Sequence, residues 1–421
     1  MHDLLTEARE RDARDAHASR REDFFLPVGP PTNTAQAYFC GNSLGLQPRA
    51  AAKHVHQELE RWATLAVRGH FVGPGPWYSY DEPLRPALAR LVGATEDEVV
   101  AMGSLTNNLH LLFVSFYQPT PQRYKILCEA GAFPSDRYLL ESQTRFHGFD
   151  PADAIVEVHP NPDTGAIEEA EVEALLQELG DQVALVFFAG VHFRTGQRFD
   201  LARLTRAAHR VGAVAGFDLA HAVGNIPLHL HDAGADFAAW CSYKYLNAGP
   251  GAVAGLFVHQ RHAAREDLPR FAGWWGVDPA SRFRMEPGFT PQRGAAGWQL
   301  SNAPVLPMAA LRASLDVFDD LRIQTLWERA QRLSTFLLEA LDASLGARVE
   351  VLTPTPWERR GCQTSLRLRA DASSVQRALE HQGVITDERP PDILRVAPVP
   401  LYNTYEDIAR FVSGLDQVLR S

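Results

Sequence analysis

Between about residue 98 and residue 258 the chain alternates short apolar runs with stretches whose apolar residues recur every three or four positions. The short runs predict β-strands at 98–103, 125–129, 154–159, 183–189, 213–217, 237–242 and 252–258. Helical stretches lie between them. One of these, 201–211, places Leu201, Leu204, Ala207, Ala208 and Val211 on one face, and Gly212 suits the position just past its end. Strands alternating with helices predict an α/β fold with a largely parallel sheet and right-handed crossovers. Upstream, 1–21 reads as a charged helix and 27–34 as a Pro/Gly/Asn-rich turn. Residues 49–65 read as a helix with Ala52, Val55, Leu59 and Trp62 on its apolar face. After Asn302 the pattern changes. A long amphipathic helix, 304–321, leads to a smaller α+β unit. That unit has a strand pair near 349–352 and 363–368, a helix at 372–382 and a closing helix at 406–419. The expected division is an N-terminal segment, 1–48, packing on the small unit, a large domain, 49–303, and a small C-terminal domain, 304–421.

Composition narrows the class. The 421 residues are 45% hydrophobic and 22% charged, ordinary proportions for a globular chain that folds in water. A formal net charge of −10 argues against a nucleic-acid surface. No apolar run approaches the length of a membrane helix. Residues 1–21 lack the apolar centre of a secretory leader. The four cysteines, Cys40, Cys128, Cys241 and Cys362, are widely spaced and form no CxxC pair, against a zinc site or a disulfide framework. A cytoplasmic protein without a resident metal is expected.

Two residues carry the chemistry. Lys244 follows the apolar run 237–240 and precedes a loop with Gly249 and Gly251. A lysine amine drawn out of water can form an imine with a carbonyl; alone, Lys244 reads equally as a surface residue in a loop. Asp218 ends the run 213–217, and by itself would serve as a helix cap. Ligands of open α/β sheets sit beyond the carboxyl ends of the strands, so both side chains are expected in one crevice. A carboxylate for a pyridinium nitrogen and a lysine for an imine are the two groups that pyridoxal phosphate requires. Ser104, Leu105 and Thr106 open a helix after the first strand, which suits either a cap or a phosphate. Phe133 precedes Pro134 at another helix start and suits either core packing or a cofactor ring.

Other patterns fall away. Gly41-Asn42-Ser43-Leu44-Gly45 has the spacing of a serine hydrolase elbow but precedes the main sheet. His54 and His56 cannot share a helix face with each other, which removes a metal cluster with Glu60. His229, His231 and Asp232 read as a loop, and Gly249-Pro250-Gly251 lacks dinucleotide-binding spacing.

The segments 38–46 (YFCGNSLGL), 131–136 (GAFPSD), 190–197 (GVHFRTGQ), 216–225 (GFDLAHAVGN), 241–251 (CSYKYLNAGPG), 273–276 (GWWG), 301–304 (SNAP) and 395–403 (RVAPVPLYN) together resemble the kynureninase family, in order and over nearly the whole length. The resemblance implies the fold-type-I pyridoxal phosphate architecture and a homodimer with active sites at its interface. It also implies hydrolysis of L-kynurenine or 3-hydroxy-L-kynurenine to an anthranilate and L-alanine. Carried over, Lys244 is the imine lysine, Asp218 the partner of the ring nitrogen with His221 beside it, and Phe133 the stacking ring with Ser135 and Asp136 alongside. Leu105 and Thr106 fall in the phosphate loop, and Tyr243 is a phosphate ligand and proton carrier. Arg395 is the clamp for the substrate carboxylate, and Ser43 joins the substrate residues. Trp274 and Asn302 come from the neighbouring subunit, and His70 with Asn302 shapes a pocket for the 3-hydroxylated substrate. Two positions depart: Ala189 replaces a small hydroxyl residue, and Val277 stands where animal-type enzymes have histidine. A cysteine desulfurase on the same fold would need a mobile cysteine downstream of Lys244. Cys362 stands at that distance but opens a β-type run, which predicts a buried, inert thiol. A catalytically silent, ligand-binding relative is the alternative outside the enzymes.

Overall fold

The computed structural model describes residues 4–15, 19–29, 33–162, 164–319 and 321–420. Its centre is a seven-stranded sheet. The strands are β1 (Val99–Ala101), β2 (Lys125–Glu129), β3 (Ile155–Val158), β4 (Val183–Ala189), β5 (Val214–Asp218), β6 (Phe237–Trp240) and β7 (Gly255–Val258). Their order across the sheet is β1-β7-β6-β5-β4-β2-β3. The pairings from β3 to β6 are parallel, and β7 runs antiparallel to both β1 and β6. The exception has a local cause. No crossover helix separates β6 from β7, and the loop 241–254 brings the chain back antiparallel.

Helices cover both faces, so the strands are apolar on both sides. Along β4, Leu185 and Phe187 join one buried cluster with Phe113 and Leu140, while Val186 and Phe188 join another with Leu204 and Leu219. The two-residue alternation of strand side chains thus feeds two cores from one continuous apolar run. Among the helices are α1 (Leu4–Arg14), α2 (Ala50–Leu65), α3 (Leu105–Phe116), α4 (Pro134–Phe146) and α5 (Leu201–Arg210), of which α3 and α4 begin at the site. Of the charged helix expected at 1–21, 1–3 and 16–18 lie outside the described residues. The helix ends at Arg14, and Arg21–Asp23 forms a separate short turn. The turn expected at 27–34 contains 30–32, also outside them. His229 caps a short helix, Leu230–Ala233, rather than lying in a loop.

The long helix near 304–321 is α6 (Val305–Asp319), and position 320 is outside the described residues. It leads into α7 (Ile323–Leu345) and a four-stranded antiparallel sheet of β8 (Val349–Val351), β9 (Thr364–Leu368), β10 (Asp387–Arg389) and β11 (Ile393–Val396), in the order β8-β9-β11-β10. α8 (Ala372–Glu380) and α9 (Tyr405–Val418) complete this unit. β10 is polar, Asp-Glu-Arg, and carries no alternation that marks a strand; its pairing with β11 makes it one. The buried cluster of this unit also takes in Ala8, Ala37 and Phe39 from the N-terminal segment. Among the described residues no helix is long and apolar enough to cross a membrane.

Candidate active site

At the carboxyl ends of β2, β4, β5 and β6 lies a cavity of about 390 Å³. Its walls include Ser43, Leu105, Thr106, Phe133, Ser135, Asp136, Asp218, His221, Tyr243, Lys244 and Arg395. Residues distant in sequence meet there because parallel strands deliver their last side chains to one edge.

The loop after β6 is pinned by its backbone. The Ala248 N–H donates to Ser242 O at 3.0 Å, the Asn247 N–H to Lys244 O at 2.9 Å, and the Gly45 N–H to Tyr243 O at 2.8 Å. A Cβ on Gly45 would come within 2.3 Å of Lys244 O, and one on Gly41 within 2.4 Å of the Tyr402 hydroxyl. Gly45 therefore seats the 40–46 segment against the lysine loop, and Gly41 seats it against Tyr402 and Val399. Ser43 is left at the cavity rim.

Lys244 Nζ lies 3.0 Å from His221 Nε2. Burial pulls the His221 pKa well down, so the ring is neutral and Nε2 accepts from the ammonium. Asp218 ends β5 with one carboxylate oxygen accepting the Ala220 N–H at 2.7 Å. This is a local turn rather than the helix cap one reading anticipated, since no helix follows β5 before Leu230, and it occupies only one oxygen. Asp136 is buried in the first turn of α4. Burial, then the charge of Asp218, push its carboxyl well up, and it donates its proton to Asp218. Phe133 is 43% exposed, which excludes it from the core and makes its face a cavity wall. Its ring stands edge-on to Phe193 at 5.2 Å. Thr106 Oγ1 and Ser135 Oγ are 2.8 Å apart at the starts of α3 and α4, neither of which has a side-chain cap. Two hydroxyls at two uncapped helix N-termini are suited to phosphate oxygens. Burial raises the Tyr243 hydroxyl, which keeps its proton at neutral pH. On the opposite wall Arg395 is 1% exposed and donates from Nη1 to Phe193 O at 2.7 Å.

Three expected residues lie elsewhere on the chain. His70 stands edge-on to Trp77 at 5.4 Å, Trp274 donates Nε1 to Arg282 O at 3.0 Å, and Asn302 is exposed. None lines the cavity of its own chain. Conversely, Glu129, Asn42, Phe193 and Arg389 line it without having been singled out. For Glu129 the signal existed: like Asp218, it is an acid at the end of an apolar strand. Its carboxylate accepts the Ala189 N–H at 3.1 Å, so the alanine at the departing position still offers its backbone. Cys362 lies outside the cavity lining, its N–H donating to Asn225 Oδ1 at 3.0 Å. Burial pushes its thiol up to about 12.

Burial, opposed by its own and the Ala189 N–H groups and reinforced by Asp218, raises the Glu129 carboxyl to about 8. An unfolded glutamate titrates near ~4.3. The folded state therefore holds a proton that the unfolded state has released. This contribution to stability is complete below the unfolded pKa and is lost as pH rises through the folded one. In protein stripped of cofactor, the melting temperature should fall between pH 5.5 and pH 8. Glu129→Gln should flatten that fall; superimposable melting profiles for parent and variant would contradict the assignment.

Lys244, Asp218 and paired helix N-termini on a sheet of this topology define a fold-type-I pyridoxal phosphate enzyme. The same fold occurs in a cysteine desulfurase from Escherichia coli (TM-score 0.77, 19% identity, covering 95% of this chain and 97% of that one). It occurs also in a cystine C-S lyase (TM-score 0.77, 18% identity, 90% and 97%). The model of the kynureninase C-terminal domain matches residues 326–415. Over the full length, the chain is 51% identical to the kynureninase of Stenotrophomonas maltophilia, covering 99% of both, and 50% identical to that of Myxococcus xanthus, covering 97% and 96%. The chain belongs to the kynureninase family.

Proposed function

We propose that this chain hydrolyses L-kynurenine and 3-hydroxy-L-kynurenine to anthranilate and 3-hydroxyanthranilate plus L-alanine, in tryptophan degradation and the supply of pyridine nucleotide precursors. The observation that carries this reading is Lys244 and Asp218 meeting in one cavity of a chain of this family. The cofactor is pyridoxal 5′-phosphate, which when bound supplies an electron sink for a carbanion. Lys244 would hold its aldehyde and Asp218 its ring nitrogen, with Asp136 donating to Asp218. Phe133 would offer a flat surface for the ring. Leu105 and Thr106 at the start of α3, Ser135 at the start of α4 and the Tyr243 hydroxyl would hold the phosphate. His221 fixes the Lys244 amine. With substrate in the cavity, the Lys244 Nζ would serve as general base for the α-proton. Tyr243, protonated at neutral pH, passes a proton during cleavage of the Cβ–Cγ bond. Arg395 pairs with the substrate carboxylate, a task suited to a bidentate guanidinium, and Ser43 meets the substrate at the rim.

The protein acts as a cytoplasmic homodimer in which Trp274, Asn302 and His70 enter the cavity of the other subunit. Their absence from the lining of their own cavity supports this, as does an exposed aromatic group. Phe71 is 6.2 Å from Phe283, and Phe283 is 5.5 Å from Trp274. The N-terminal segment, large domain and small domain divide near residues 48 and 303. The decisive assay is release of an anthranilate and alanine in equal amounts from either kynurenine. Persistent absence of both with cofactor-loaded protein would overturn the reading. Cys362→Ala should retain turnover within about threefold, since a buried protonated thiol does no chemistry. Sulfide release from cysteine that this substitution abolishes would instead favour a desulfurase.

A further inference from the structure

The hairpin of β10 and β11 brings two guanidiniums to the cavity, on Arg389 and Arg395. Asp387, which does not line the cavity, stands opposite Arg395 in the strand register. Its carboxylate is divided between them. Oδ1 accepts from Arg389 Nη1 at 2.7 Å, and Oδ2 accepts from Arg395 Nη2. Arg395 is thereby held at two corners, by Asp387 and by the Phe193 carbonyl. The three charges sum to +1, matching one carboxylate.

We propose that Asp387 is a positioning residue for substrate binding: it locks the orientation of Arg395 and reduces the charge of the arginine pair, so that the site selects amino acids with a single carboxylate. This rests on the reading of Arg395 as the carboxylate clamp. A guanidinium presents its donors in a rigid plane, so its fork binds a carboxylate in two places only when that plane is fixed. Removing the Asp387 charge frees the plane. It also leaves two cations facing the cavity, which favours a second carboxylate on the ligand.

The test uses the cofactor-loaded protein. Asp387→Asn should raise KM for kynurenine by about tenfold or more, with kcat within about threefold. Its affinity for the substrate analogue with hydrogen in place of the α-carboxylate, measured by calorimetry, should stay within about twofold. Inhibition by L-glutamate, relative to L-alanine, should strengthen by about tenfold. Asp387→Glu, which restores the charge, should recover most of the KM loss. An unchanged KM in Asp387→Asn, or an equal loss of affinity for the analogue, would overturn the proposal. Arg395→Lys separates the two readings. If it weakens the carboxylate ligand and spares the analogue while Asp387→Asn changes neither affinity, the clamp stands and the inference about Asp387 falls. If Arg395→Lys weakens both ligands equally, the clamp itself falls.

Discussion

Lys244→Ala lowers kcat by at least about 10³-fold, because one substitution removes both the link to the cofactor and the base for the α-proton. No neighbour replaces it. The nearest nitrogen, His221 Nε2, is 3.0 Å from the missing amine and belongs to a ring whose pKa burial has pulled well down, so it is a weak base. The fold should survive, since Lys244 is only half-buried and its loop is held by backbone hydrogen bonds rather than by its side chain. Three measurements check this. Turnover should collapse while the melting temperature of the stripped protein stays within a few degrees of the parent. The visible absorbance that the parent gains with cofactor should be lost or shifted. A small primary amine added to the assay should restore part of the rate, because it supplies a base without the tether. Near-normal turnover of Lys244→Ala without added amine would remove the basis of the mechanism.

Asp218→Asn comes next, with kcat/KM expected to fall by about 10²- to 10³-fold, the scale of losing one preorganised charge at a reacting centre. Asparagine keeps the size of the side chain and can still accept the Ala220 N–H, so the local turn is preserved. What disappears is a negative charge facing a ring nitrogen, and with it the preference for the protonated ring. The Asp136 proton, now donated to Asp218, would face a neutral amide and could no longer stabilise a carboxylate. The loss should appear in kcat and in cofactor affinity together. Glu129→Gln, two strands away and already neutral at pH 7 in the parent, should cost far less. If the two substitutions proved equally harmful, the site would depend on its acidic cluster as a whole rather than on Asp218.

The strands of the large domain were legible because burial on both faces demands continuous apolar runs, and Lys125–Glu129, Val183–Ala189 and Phe237–Trp240 carry them plainly. The small domain was less so. Its strand Asp387–Arg389 is defined by a partner rather than by its own side chains, and Arg389 and Asp387 escaped notice with it. Phe133 shows a second limit. Its residue type fits a core or a ring platform equally well, and only its exposure to the cavity separates them.

The order of residues along the chain was enough to determine that an aspartate ends one strand and a lysine follows another in one α/β sheet, and that the segments around them are those of the kynureninase family. Tertiary structure decided which further groups share their space. It brought Glu129 and Asp136 beside Asp218, set Gly45 against the lysine loop, and placed Asp387 between two arginines. The reason is physical. Strand ends follow from local apolar patterning, which a sequence displays, whereas proton sharing and charge pairing depend on separations of a few ångströms between residues far apart in the chain.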